Sequence, residues 1–137
     1  MSKTDNEEFK KGMEEATKKL IDIQFERMKV ASAFLQAKAV EEAPVETGAL
    51  RGAMESKVKL LKTTIVGVVG NSLIYAPYVH QGTGEYAVDG GGRQTPWRYK
   101  HAKFGWLTTK GQRPQPFLKN AMEKNKESII MILRGED

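Results

Sequence analysis

Cysteine is absent from all 137 residues, which excludes disulfides, thiolate metal sites and a cysteine nucleophile. Histidine is scarce: His80 and His101 stand apart, separated by a glycine-rich segment. A multi-histidine metal centre is therefore excluded, and a histidine–carboxylate pair would have to draw on Glu85 or Asp89. No apolar run approaches the roughly 20 residues of a membrane helix, and the opening MSKTDNEEFKK is polar and charged. These absences lead us to expect a soluble chain, made in a reducing cytoplasm, with no membrane partner. Gly90-Gly91-Gly92 lacks the lysine and the following Ser or Thr of a phosphate loop, so it reads as a connector. No nucleophile, base and orienting group form a recognisable set, and we expect no catalysis, no metal and no cofactor.

Proline is also missing before Pro44, and the stretch from Glu7 to Glu42 has no turn cluster. Apolar residues recur there at Phe9, Met13, Ala16, Leu20 and Ile23, then at Met28, Ala31 and Leu35, the spacing of an amphipathic helix. Lys10, Lys11, Lys18 and Lys19 alternate with Glu14, Glu15, Asp22 and Glu26, the pattern of a solvated, salt-bridged face. At about 1.5 Å per residue such a helix is roughly 50 Å long, more than the core of a small domain can cover. Part of it must project, bend or pack on another chain. Gly12 weakens its start, and residues 1–8 are expected to be disordered outside an assembly.

The length suits one domain, 1–137. Pro44 should end the first helix near Ala43. Thr47 is placed to cap a short turn that carries Leu50 inward and Arg51 outward. Val58 to Leu61 and the β-branched run Thr64 to Val69 predict two antiparallel strands bending at Lys62-Thr63, with Gly67 and Gly70 leaving room for the long helix. Tyr75, Tyr78 and Val79 can share one face of a short helix ended by Gly82. Pro116 opens a last helix whose apolar set is Phe117, Leu118, Ala121, Met122, Ile129, Ile130 and Leu133. The expected fold is α+β: a long N-terminal helix and a C-terminal helix packed on a small antiparallel sheet, with a mobile β-hairpin inserted over residues 84–113.

Three motifs in order, Ala43-Pro44-Val45-Glu46-Thr47-Gly48-Ala49-Leu50-Arg51, Tyr75-Ala76-Pro77-Tyr78-Val79-His80-Gln81-Gly82-Thr83 and Pro114-Gln115-Pro116-Phe117-Leu118, resemble the neck or tail-completion proteins of long-tailed bacteriophages and related prophages. His80 and Asn120 depart from the acidic residue and the proline common in that family. The resemblance implies a structural virion protein that joins the head-side connector to the tail within a ring of its own copies. It implies assembly in the host cytoplasm, a final place in the head–tail neck, and no reaction.

Between the second and third motifs, Thr95–His101 and Phe104–Thr109 predict a hairpin turning at Ala102-Lys103, with Trp97 and Tyr99 on one face and Arg98 and Lys100 on the other. Its region holds Arg93, Arg98, Lys100, Lys103, Lys110 and Arg113, the aromatics Trp97, Tyr99, Phe104 and Trp106, and no acidic residue after Asp89. Three readings stand. The aromatics and cations can anchor a neighbouring subunit or connector; they can stack on bases and bind phosphates; or the rings can cover the chain's own sheet while the cations are simply solvated. The first is favoured, with Arg93, Trp97, Arg98, Tyr99, Lys100, Lys103, Phe104 and Trp106 as the partner interface, and a nucleic-acid module is the alternative. Arg51, likewise, can bind a carboxylate on another subunit or serve as a local cap.

Overall fold

The computed structural model of the chain describes residues 3–45, 48–101 and 103–136. In order it contains α1 (Lys3–Glu42), α2 (Ala49–Gly52), β1 (Met54–Leu61), β2 (Thr64–Asn71), α3 (Ala76–Gln81), a single 3₁₀ turn (Gly84–Tyr86), β3 (Trp97–His101), β4 (Gly105–Thr109) and α4 (Phe117–Arg134). This is the expected α+β class. The strands form two separate antiparallel ribbons, β1–β2 and β3–β4, rather than one continuous sheet. Among the described residues, no helix is long and apolar enough to cross a membrane.

Helix α1 is the common support. The β1–β2 ribbon lies along one side of it and α4 along another. The ribbon turns at Lys62-Thr63, as expected, with Leu61 opposite Thr64 and Met54 opposite Asn71. Gly67 lies against α1: a Cβ there would meet the Ser32 hydroxyl and sit 2.7 Å from the Met28 sulfur. Gly70 does not share this role, because the space where its Cβ would point is open. Its partner Glu55 is exposed, so the pair faces away from the helix. Gln36 joins ribbon to helix, donating to the Met54 carbonyl at 3.0 Å and accepting from the Ser56 hydroxyl at 2.7 Å.

Helix α4 runs back along α1. Its first turn, Phe117 and Ala121, packs with Ala39 and Ala43, Lys124 reaches Glu42 at 2.8 Å, and Gly135 lies beside Arg27. Leu50, Met54 and Ala76 complete the core. Phe117, 1% exposed, is the largest fully buried side chain among the described residues, and four of the six other buried members of its cluster are alanines. The core therefore gathers at the C-terminal end of α1 and stays small.

The other half of α1 is covered less: near the ribbon's turn Leu60 shares an open cleft of about 650 Å³ with Met13, Thr17 and Ile21. Phe9, Met13, Leu20 and Ile23 are between 47% and 65% exposed, and residues 3–8, expected to be disordered, are helical and exposed. The apolar positions do not form one continuous face. At about 100° per residue, buried Ser32 and Ala39 lie roughly a third of a turn from the centre of the Phe9–Met13–Ala16–Leu20–Ile23 stripe, whereas buried Ala31 falls in line with Met13. Helix α4 and the ribbon pack on the side of Ser32 and Ala39 and leave most of the stripe exposed.

The consequence is a large surface. The accessible area is 10350 Å² for 15.3 kDa, whereas a compact monomer of this mass exposes about 7,100 Å². The excess of about 3,000 Å² equals several standard contact patches of about 800 Å² per partner.

Candidate assembly interface

The three motifs, far apart in sequence, meet in one place. Leu50 of the first enters the core, and Val79 of the second and Phe117 and Leu118 of the third pack there with it. Half-buried Pro44 follows α1 directly. Arg51 turns back on that helix: its Nε donates to the Ala43 carbonyl at 3.2 Å and its Nη2 reaches the Glu41 carbonyl at 3.5 Å. It is thus a local cap on carbonyls that the helix end leaves unpaired. Thr47, the expected cap of α2, lies outside the described residues, and Gly48 occupies the N-cap position. Asn71, which the sequence reading passed over, ties the cluster together. Its amide donates to the Leu50 carbonyl at 2.6 Å, and its side-chain oxygen accepts from the Leu73 N–H at 3.0 Å.

The expected common face of Tyr75, Tyr78 and Val79 is not formed. Tyr75 is the N-cap of α3 and 43% exposed, Tyr78 is 61% exposed, and only Val79 joins the core, beside buried Ala76. A six-residue helix has one narrow buried side, and Ala76, Val79 and His80 occupy it. The His80 ring stands edge-on to Phe117, with centroids 5.5 Å apart.

Gly82 ends α3, and from there the insertion is fastened at its base. The Thr83 N–H donates to the Gln112 carbonyl at 2.9 Å, the Gln112 N–H to the Thr83 hydroxyl at 2.9 Å, and the Glu85 N–H to the Lys110 carbonyl at 3.1 Å. Gln115 N–H donates to the Val79 carbonyl at 2.9 Å, and Pro114 lies against Gly82. Gly84 and Gly111 allow the two backbones this close approach: a Cβ on Gly84 would strike the Lys110 carbonyl oxygen, and one on Gly111 would strike that of Thr83. The cleft beside this base, about 250 Å³ and lined by Pro77, Gly82, Gly84 and Asp89 among others, falls below the usual ligand-pocket range of about 300–1,000 Å³. Asp89 is engaged there by the Gly91 N–H at 2.9 Å.

Beyond the base, β3 pairs with β4 in the register Trp97–Thr109, Tyr99–Leu107 and Lys100–Trp106. The strands are shorter than expected; Pro96 has no N–H for the ladder, and β3 begins one residue after it. Ala102, in the expected turn, lies outside the described residues. Alternation places Trp97, Tyr99, His101 and Leu107 on one face, with Arg98, Lys100, Trp106 and Thr108 on the other. On the first, Tyr99, His101 and Phe104 form a row with centroid separations of 6.4 and 5.0 Å. His101 Nδ1 accepts the N–H groups of Lys103 and Phe104 at 3.0 and 3.2 Å, making it a turn residue. On the second, the Arg98 guanidinium lies 5.5 Å from the Trp106 ring. Arg93 over Trp97, Lys103 over Phe104 and Arg113 over Tyr86 repeat the arrangement.

The rings do not cover the chain's own sheet. Trp106 is 62% and Phe104 65% exposed, and β3 and β4 pack chiefly on each other. Among the described residues, the ion pairs Lys29–Glu26, Lys38–Glu41, Lys119–Glu123 and Lys124–Glu42 all lie on α1 and α4, so no hairpin cation is neutralised. The expected interface set, Arg93, Trp97, Arg98, Tyr99, Lys100, Lys103, Phe104 and Trp106, is thus gathered on one protruding element but divided between its two faces. Comparison with protein-family models, with curated proteins and with solved structures finds no match for this chain.

Proposed function

We propose that this is a structural protein of the bacteriophage or prophage head–tail neck, which completes the tail or joins it to the head connector as part of a ring of copies. The observation that carries this reading is the excess surface: about 3,000 Å² beyond a compact monomer of this mass, with Phe9, Met13, Leu20 and Ile23 on α1 and Phe104 and Trp106 on the hairpin among its exposed apolar side chains. A subunit of a larger assembly leaves such surface because its neighbours cover it. The motif resemblance supplies the kind of assembly. Its residues stabilise the junction of α1, α2, α3 and α4 and present no converging nucleophile, base or ligand set. In this reading the chain catalyses no reaction, holds no cofactor, has the connector and tail proteins as partners, and passes from host cytoplasm to virion.

Electron microscopy of particles from a phage lacking the gene tests it. Full heads separated from complete tails are expected. Intact but non-infectious particles would refute the joining role.

A basic nucleic-acid module is the second reading, favoured by Trp106 lying exposed between Arg98 and Lys100. It requires appreciable binding of an oligonucleotide that weakens steeply with salt.

A further inference from the structure

We infer that the first half of α1 forms a parallel, in-register coiled coil with the same segment of a second copy of this chain. The contact goes beyond the neck reading and does not rest on it, because two copies suffice inside a ring or outside one.

The period of the stripe is the first argument. Phe9, Met13, Ala16, Leu20 and Ile23 follow one another in alternating steps of four and three, so they fill successive d and a positions of a heptad. Arg27 takes the next a position and Val30 the next d, which carries the seam over three heptads with one interruption. The flanking positions hold Lys10, Thr17 and Gln24 at e and Gly12, Lys19 and Glu26 at g, none of them a large apolar residue. A helix that packs on its own globular core has a wider apolar face; a stripe confined to a and d is the narrower seam of a coiled coil. This seam is open, with Phe9, Met13, Leu20, Ile23 and Val30 between 47% and 65% exposed.

Room and charge select the partner. Helix α4 ends at Arg134, with Gly135 beside Arg27, so α1 runs on from Ile23 back to Phe9 past its end. The cleft under Leu60 takes Met13 from the stripe and none of Phe9, Ala16, Leu20 and Ile23. Residues 3–29 carry seven acids and seven cations, so two copies meet there without net repulsion. A g position faces the e position five residues on in a parallel partner. That register sets Asp5 against Lys10 of the other copy, twice by symmetry, and Lys19 against Gln24, with no like charges opposed. The two antiparallel registers that keep the seam closed set Lys19 against Lys19 or Asp5 against Glu26 instead. The parallel pair is therefore the one the flanks allow. Ala16 and Arg27 on the seam keep it weak, so the pairing depends on concentration.

The lack of native cysteine allows a direct test on the full chain. Ala16→Cys puts a thiol in the seam, and Lys11→Cys puts one on the opposite side of the same helix. Under mild oxidation the first should form its disulfide dimer at least about tenfold faster than the second. Adding Leu20→Glu to Ala16→Cys should bring the rate down to that of Lys11→Cys and leave the melting temperature of the reduced chain in place, since Leu20 is 61% exposed. Phe9→Cys, near the end of the seam, should also cross-link to itself, which only the parallel direction permits; a slow Phe9→Cys beside a fast Ala16→Cys overturns the parallel register. An Ala16→Cys rate equal to that of Lys11→Cys overturns the coil, whether the wild type then sediments as a monomer, which leaves the stripe to an unlike protein, or as a larger particle built through another surface. Either failure leaves the neck reading to the electron micrographs.

Discussion

Replacing Gly84 by alanine isolates what holds the hairpin in place. Gly84 has φ +63° and Gly90 has φ +71°, so alanine at either costs about 1–2 kcal/mol for left-handed backbone. Their surroundings differ. Nothing lies within 4 Å of a Cβ on Gly90, whereas one on Gly84 meets the Lys110 carbonyl and stands 2.8 Å from the Gly111 Cα. Those atoms are backbone and cannot swing aside, so Gly84→Ala adds about 1–3 kcal/mol of overpacking. The total is about 2–5 kcal/mol, placed on the bonds that join residues 83–85 to residues 110–112. The base can open without the core, so the loss should appear first as local opening. Hydrogen exchange resolved at Thr83, Glu85 and Gln112 is the assay. At about 2 kcal/mol, protection there falls about 30-fold, while Gln36 and Ala121 in the helices keep theirs. Equal exchange in Gly84→Ala and Gly90→Ala would refute the steric argument.

Phe117→Ala should lower stability by about 3–5 kcal/mol, because it removes the largest fully buried side chain of a small core; Trp106→Ala, at a ring 62% exposed, should change the melting point by no more than about 0.5 kcal/mol implies. Equal effects on the melting temperature would contradict the division between core and hairpin. Asn71→Ala leaves the Leu50 carbonyl and the Leu73 N–H without their partner and should cost about 1–3 kcal/mol in urea unfolding. In the free protein, amide protection along α1 should fall from Ala31 towards Lys3, since an uncovered helix of this length is marginal in water. Uniform protection would show that the first half is already covered.

The sequence made the elements legible more readily than their partners. Pro44, the Lys62-Thr63 bend and Pro116 mark chain breaks through local geometry, and each stands at an element boundary. Alternation along Trp97–His101 likewise yields the two faces of the hairpin, because a strand's period is independent of what packs on it. Tertiary choices are different. Gly67 and Gly70, three residues apart on one strand, must point to opposite faces, and which of them meets α1 is decided by the packing of the ribbon on the helix. Spacing lets Tyr75, Tyr78 and Val79 share one face of α3, but the side of this six-residue helix that meets Phe117 holds Ala76, Val79 and His80. Asn71 and Gln36 carried no motif; their roles depend on carbonyls brought near by other segments.

The same reasoning explains why the long helix conceals its most informative feature. Read by spacing alone, Phe9 to Leu35 is one amphipathic face, and its charges are a solvated back. In space, α4 and the β1–β2 ribbon take the side that holds Ser32 and Ala39, and the centre of the earlier stripe is rotated away from them. An apolar stripe that is regular over four turns but stays about half exposed is costly in water. The hairpin is a second case of the same kind: alternation puts Trp106 beside Arg98 and Lys100 on one face, yet the 62% exposure of that ring depends on what the rest of the chain leaves uncovered, which spacing does not carry.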